Sequence, residues 1–447
     1  MNQEKPTVGT QGIYDATVLG KPRMLVLGIQ HMFAMFGATV LVPALTGLSV
    51  STTLLFAGLG TLLFHLLAKG KVPAFLGSSF AFLAGYWAIA PNGEAELLPY
   101  ACFGVAVAGL LYVILSGLIR AFGVKKVMRF FPPIVTGPVI ICIGLTLSSG
   151  AINNCATNWW IALVAIAVVI VCNIWGKGMI KILPILLGVI VSYVVAAITG
   201  NVDFSTVVDA PWVGLPVSYG STVFALFPGC DTSLLITAVI TIVPLAIATM
   251  VEHIGDICAI SSTCERNYLE DPGLHRTLLG DGLATTLASL FGGPANTTYG
   301  ENTGVLALSR VYDPRVIRIA ACLAILFSFS PKFAALVSAM PVATMGGVSL
   351  ILYGMISAVG VRNVVENKVD FTNSRNVIIA ALILVLAIGI AFSEAGAIVF
   401  TVGGATISLS GLAVASIVGI VLNAVLPGKD YEFGVDDQGD TSVNFKV

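Results

Sequence analysis

Three carboxylates in this 447-residue chain stand where solvation does not explain them. Glu301 lies in Gly292-Gly-Pro-Ala-Asn-Thr-Thr-Tyr-Gly-Glu-Asn-Thr-Gly-Val-Leu-Ala-Leu-Ser-Arg310, a run with four Gly, three Thr and two Asn set among long apolar segments. Glu252 and Asp256 lie in Met250-Val-Glu-His-Ile-Gly-Asp256. In hydrocarbon, unsatisfied backbone and charged side chains are costly, so irregular polar chain survives only where it is packed in protein or lines a cavity. These acids are therefore expected to form a small-molecule site in the middle of a membrane.

Glu252 and Asp256 are four residues apart and share one helix face, whereas the helical period turns His253 roughly 100° away from Glu252. Two carboxylates on one buried face do not ionise independently; they titrate as a unit and can hold a proton near neutral pH, as a proton-coupled carrier needs. The other reading, a pair solvated at the inner end of its helix, stays open, more so for Asp256 than for Glu252. A ring with imide N–H and C=O groups wants a carboxylate for each N–H and a backbone N–H for each oxygen. Glu252 and Glu301 fit the first need. Phe80 or Tyr299 could stack on a flat ring, although Phe80 taken alone reads as ordinary core.

These residues must be held by a membrane scaffold. The chain is 57% hydrophobic and 10% charged, against about 25% charge for a soluble domain. It has no basic run of the nucleic-acid-binding kind, no signal peptide is recognisable in its polar first residues, and no Cys, His and carboxylate cluster has metal spacing. Eight scattered cysteines fall mostly in apolar segments, and a disulfide between Cys155 and Cys230 is not expected.

Fourteen apolar segments approach the roughly 20 residues a spanning helix needs. The first seven are 24–45, 50–68, 72–90, 99–120, 130–149, 159–175 and 182–199. The second seven are 233–260, 275–292, 295–309, 314–339, 341–361, 375–392 and 405–426. With the N-terminus inside, every one of the 22 Lys and Arg residues but Lys332 falls on an inner loop or tail, as the positive-inside rule asks. Pro133 and Thr136 open segment five as Pro341 and Thr344 open segment twelve. Repeats of seven segments must be inverted, which is a transporter architecture with its site near the midplane. Segment three is broken at Gly77-Ser78-Ser79, and segment ten is the polar run itself. Each is expected to be a short extended piece followed by a half-helix whose first N–H groups face the substrate. Close helix packing is the simpler reading of the small residues at 77–79.

Asp281 follows Gly280 and reads as a helix-start residue or as a partner for an inner-loop Arg. His31, inside segment one, reads as a hydrogen-bonded core residue or as a proton relay. Glu94, Glu96 and Glu394 read as solvated, and His65 and His275 near the inner surface have no assigned role. The acidic tail from Gly428 is expected to be disordered.

At these residues the sequence resembles the nucleobase–cation symporter-2 family, also called nucleobase–ascorbate transporters, and among them the bacterial uracil-permease branch. The pieces that carry the likeness are Gln30-His31 through Pro43, Gly77-Ser-Ser-Phe80, Glu252-His-Ile-Gly255, Asp271-Pro-Gly-Leu-His-Arg276, Asn296-Thr-Thr-Tyr-Gly-Glu-Asn-Thr-Gly304 and Met345-Gly-Gly through Tyr353-Gly. They span nearly the whole chain, and the Asn-Thr-Thr-Tyr-Gly-Glu-Asn run is highly specific.

The resemblance implies an all-α polytopic membrane protein with core and gate domains. The core would be 24–122 and 232–340, and the gate 123–200 and 341–427. A loop at 201–231 would lie outside, with cytoplasmic tails at 1–23 and 428–447 and the whole in the cell's inner membrane. It implies proton-coupled uptake of uracil by an elevator-like movement, with homodimers held through the gates. Glu252 and Glu301 would hold the ring, backbone groups of Phe80, Tyr299 and Gly300 would complete the pocket, and Ala38 would line it. Tyr353 is a family candidate for proton coupling; Asp256, Glu252 and His31 join it here, with Ser79 and Asn302 as structural neighbours. The coupling ion is a proton, and no cofactor, metal or nucleic acid is implied. One departure matters: many uracil carriers have His where this chain has Asp256, and Asp appears there in purine carriers. Xanthine or urate therefore remain alternatives. A membrane-embedded enzyme using the carboxylates is disfavoured by the repeats. An anion cargo is disfavoured because no Lys or Arg occurs between Lys71 and Arg120 or between Arg276 and Arg310.

Overall fold

The computed structural model describes residues 8–9, 11–227, 229–402 and 405–428. Helices α1 (Lys21–Thr46) and α2 (Val50–Leu67) lead into strand β1 (Leu76–Ser78) and the short α3 (Leu83–Ile89). Next come α4 (Leu98–Phe122), α5 (Val124–Met128), α6 (Pro133–Ala156), α7 (Trp159–Ile174), α8 (Met179–Ile182), α9 (Pro184–Ile198) and α10 (Ser205–Asp209). Helices α11 (Thr232–Ile242), α12 (Leu245–Thr263) and α13 (Leu274–Leu290) precede β2 (Asn296–Thr298) and α14 (Gly300–Ser309). The chain continues through α15 (Pro314–Ser328), α16 (Pro331–Ser338), α17 (Val342–Glu366) and α18 (Ser374–Ala391) to β3 (Ala397–Val402), β4 (Ala405–Ser410) and α19 (Gly411–Val425).

The ends of these helices follow from local chemistry. Ser49, Asn158, Asp231, Asp313, Ser330, Asn373 and Ser410 each accept a hydrogen bond from a first-turn N–H. Gly47 ends α1 in the left-handed region at φ 81°.

Each of the fourteen sequence segments contains one or more of these elements, but they are not fourteen full-length helices. Among the described residues seven helical stretches are long and apolar enough to span, or eight if α15 and α16 count as one. Segments three and ten fall short because in each a three-residue strand and its flanking extended chain leave room only for a short helix. Segment eleven, expected as one helix, bends by 89° between α15 and α16; the break falls at Ser330-Pro331, where the ring of Pro331 removes a helical donor. Segment eight is interrupted at Val243-Pro244 for the same reason. Segment fourteen is helical only from Gly411. Before it, β3 and β4 pair antiparallel from Ala397↔Ser410 to Val402↔Ala405, in a stretch rich in β-branched residues.

Small residues let the long helices approach closely. On α13, a Cβ at Gly282 would stand 2.6 Å from the carbonyl oxygen of Gly109 on α4. On α6, a Cβ at Gly144 would stand 2.1 Å from the carbonyl oxygen of Tyr353 on α17. The matched Pro133 and Pro341 both sit where these two partner helices begin, α6 and α17.

The N-terminal stretch, expected as part of a polar tail, is a strap over the end of α14. Ile13 N–H donates to the carbonyl of Arg310 and Tyr312 N–H to that of Ile13, both at 2.8 Å. Ala16 N–H donates to Asp313 at 2.7 Å, and Arg315 bridges Asp313 and Asp15. Tyr14 donates to the carbonyl of Cys264 at 2.9 Å, just past α12, with the Arg266 guanidinium 4.1 Å over its ring. The acidic tail expected from the sequence lies outside the described residues, beyond Gly428.

Candidate substrate site

The site is built around two strands of three residues each. Strands β1 and β2 pair antiparallel, Leu76 with Thr298, Gly77 with Thr297 and Ser78 with Asn296, and all six residues are buried. The extended pieces expected in segments three and ten are thus one element, made by their crossing. Such short strands leave much polar backbone to satisfy, and side chains of the surrounding helices do it. Thr61 accepts from Leu76 N–H at 2.9 Å, and Thr285 accepts from Asn296 N–H at 3.2 Å. Thr285 also donates to the Asn296 carbonyl at 2.6 Å, Ser78 donates to the Thr39 carbonyl at 2.9 Å, and the Asn296 amide donates to the carbonyl of Phe56.

The crossing also explains Gly77. Tyr299 hydroxyl donates to the Ser78 carbonyl at 2.9 Å, which lays its ring over Gly77. A Cβ at Gly77 would come within 2.6 Å of that ring and 2.7 Å of Thr39 Oγ1.

Past the crossing, each segment becomes a short helix, as expected. Phe80 stands in the turn before α3, where its carbonyl accepts from Leu83 N–H at 3.1 Å. Helix α14 starts at Gly300 directly after Tyr299, whose side chain makes no cap hydrogen bond to it. The free donors and partial positive charge of a helix N-terminus favour an anion or a polar oxygen there. Asp256 on α12 supplies one: its Oδ1 is 3.7 Å from the position a Cβ would take on Gly300. Thr298 Oγ1 donates to the other carboxylate oxygen at 3.0 Å.

Glu252 is half-buried one turn away on α12. Glu301 is the second residue of α14, and its side chain lies outside the described residues. Ala38 is buried on α1 beside Thr39. The Phe80 ring contacts Tyr353 of α17. His31 is buried on α1, with the Asn302 amide 3.2 Å from its ring Nδ1 and donating to its carbonyl at 3.2 Å. Asn302 thereby ties the first turn of α14 to α1. Ser79 N–H donates to the Ala295 carbonyl at 3.0 Å, and its buried hydroxyl has no partner among the described residues.

Asp281 is neither a helix-start residue nor an Arg partner. Helix α13 begins at Leu274, so Asp281 falls deep inside it, fully buried, with Oδ2 3.3 Å from His253 Nδ1. His253 Nδ1 is also 3.2 Å from Thr298 Oγ1. This pair was missed in the sequence, although an acid inside an apolar segment was a visible signal. Among the described residues no cluster of His, Cys, Asp and Glu could hold a metal.

Comparison with known proteins agrees with this architecture. The chain is 41% identical over 438 residues to the uracil permease of Bacillus caldolyticus, covering 96% of this chain and 94% of that one. It is 38% identical over 382 residues to the uracil permease of Escherichia coli K12, covering 83% and 86%. In structure it is similar to the transmembrane domain of the cyanobacterial bicarbonate transporter BicA, with a TM-score of 0.57 at 14% identity over 92% of this chain and 99% of that one. It is also similar to SLC26A9, with a TM-score of 0.60 at 14% identity over 90% and 64%. A family model described as "Permease family" matches residues 22–396. The chain belongs to this family, the nucleobase–cation symporter-2 permeases, and is a transporter rather than an enzyme.

Proposed function

We propose that the chain carries uracil across the cell's inner membrane together with a proton, both termini being cytoplasmic. The observation that carries this reading is the meeting of Asp256 of α12 with the first residue of α14 at the strand crossing. It sets the Asp256 carboxylate of one segment beside the start of a half-helix of another, on a chain whose relatives are named uracil permeases. Glu252 and Glu301 accept the ring N–H groups, backbone groups at Phe80, Tyr299 and Gly300 meet the carbonyl oxygens, and Ala38 leaves room for the ring. Asp256, coupled to Glu252, takes the transported proton, with Tyr353 and His31 as further candidates.

In this reading 24–122 and 232–340 form a core that moves, elevator-like, against a gate of 123–200 and 341–427, and two gates make a homodimer. Uptake of labelled uracil into proteoliposomes under an inward proton gradient tests it. Accumulation that ignores the gradient rejects the coupling, and a panel in which xanthine or urate competes better than uracil or thymine rejects the cargo. The structural neighbours that carry anions share the fold alone. Segments three and ten hold no Lys or Arg to meet an anion.

A further inference from the structure

His253 and Asp281 are fully buried ionisable residues to which the cycle proposed above gives no task. They form a chain of contacts ending on Asp256: Asp281 Oδ2 to His253 Nδ1 at 3.3 Å, His253 Nδ1 to Thr298 Oγ1 at 3.2 Å, and Thr298 Oγ1 to Asp256 Oδ2 at 3.0 Å. With Asp281 ionised, its Oδ2 repels a bare Nδ1 lone pair, and the imidazole then keeps its proton on Nδ1. That N–H also faces the Thr298 oxygen. The hydroxyl then has one direction left for its own proton, which is toward Asp256.

We infer that Asp281 and His253 are positioning residues for the proton site. By fixing the imidazole tautomer they aim the Thr298 hydroxyl at the Asp256 carboxylate, and so set the pH at which Asp256 gives up its proton. The inference rests on Asp256 being the proton-responsive group. A purely structural role fits poorly. His253 Nε2 and both oxygens of the Asp281 carboxyl have no hydrogen-bond partner among the described residues, the 3.3 Å approach of Oδ2 to His253 Nδ1 being an ion-pair distance, and a buried pair with incomplete partners is a weak source of stability that apolar residues would exceed.

The other ionisable groups around Asp256 are few. Its own helix brings Glu252, and Glu301 is the second residue of α14. Helix α4 brings Tyr112, which is within electrostatic reach of Glu252, Asp256 and Asp281. His275 and Arg276 sit in the first turn of α13, and Glu270 and Asp271 follow the inner end of α12. Helices α6, α11 and α19, which also pack on α12, carry no acidic or basic residue.

The test measures uracil binding to the purified full-length protein from about pH 5 to 9, with proton-driven uptake alongside, for wild type, Asp256→Asn, Thr298→Val and Asp281→Asn. Asp256→Asn should abolish the pH midpoint. Thr298→Val keeps the shape of the side chain and removes the donor to a charged group, which should move the midpoint up by about one pH unit. Asp281→Asn no longer dictates the tautomer and should move it in the same direction. Simple loss of a neighbouring negative charge would move it down, so a downward shift overturns the relay. Unchanged midpoints with reduced uptake also overturn it and leave the pair structural. Where Asp281→Asn does not fold, Thr298→Val decides alone. A wild-type midpoint surviving in Asp256→Asn overturns the proton assignment itself, and the relay with it.

Discussion

The phenyl ring of Phe80 meets the phenol ring of Tyr353 nearly edge-on, with centroids 5.7 Å apart and planes at 74°. Both side chains are buried. Phe80 sits in the turn between β1 and α3, and Tyr353 on α17. In the transport reading these belong to the moving core and the fixed gate, so the contact lies on the surface that must slide.

Removing the Tyr353 ring should therefore weaken substrate binding, while removing only its hydroxyl should not. An edge-to-face pair contributes about 1 kcal/mol beyond its buried area. Tyr353→Ala is expected to raise the uracil Kd roughly three- to tenfold, and Tyr353→Phe to leave it near wild type while slowing proton-driven accumulation. Calorimetry and uptake on the same preparations check both. Equal loss of affinity in the two variants would assign the phenol oxygen to the substrate.

Glu252→Gln and Glu301→Gln are each expected to abolish measurable uracil binding with the fold intact, since an amide cannot replace a charged acceptor for a ring N–H. Asp256→Asn should impair accumulation more than affinity. Retained binding in either Glu variant removes that residue from the site.

Gly77→Ala should lower both activity and stability. Its Cβ would stand 2.6 Å from the Tyr299 ring, and overpacking of a well-filled core costs about 1–3 kcal/mol. The expected result is a protein that still inserts, with a Tm several degrees lower and little uptake. A Gly77→Ala variant with wild-type Tm and uptake contradicts the close crossing.

The strap makes a separate prediction. Asp313→Ala removes the acceptor of Ala16 N–H and a partner of Arg315, a loss of about 1–3 kcal/mol. Trypsin should then cut faster after the exposed Arg23. The hydroxyl and N–H of Thr17, with Arg315, hold the Asp15 carboxyl below its usual range. A lowered folded-state value stabilises above the unfolded value of about 3.9 and is lost as pH falls through the lowered one. Protection of Arg23 should thus persist through neutral pH, because this contribution is lost only in strong acid. Unchanged cleavage of Asp313→Ala would show that the strap does not depend on this contact.

Much of this protein was legible before folding. Apolar runs and segregated charges announced a many-segment membrane protein, because hydrocarbon and the translocation of Lys and Arg act on composition directly. The breaks at Gly77-Ser-Ser79 and Pro294–Tyr299 announced the strand pieces, because non-helical backbone in a membrane must line or fill something. Glu252 and Asp256 shared a face by spacing alone. What no spacing could supply was partnership across the chain. That Thr61, Thr285 and Asn296 exist to satisfy a crossing of two strands is decided only when α2 and α13 are packed beside it. That Asp281 faces His253 follows from where α13 starts and which side it turns to α12. Helix periods and hydrophobicity are local properties and can be read along the chain, whereas a buried polar group takes its meaning from whichever distant atom the packing sets within hydrogen-bond reach.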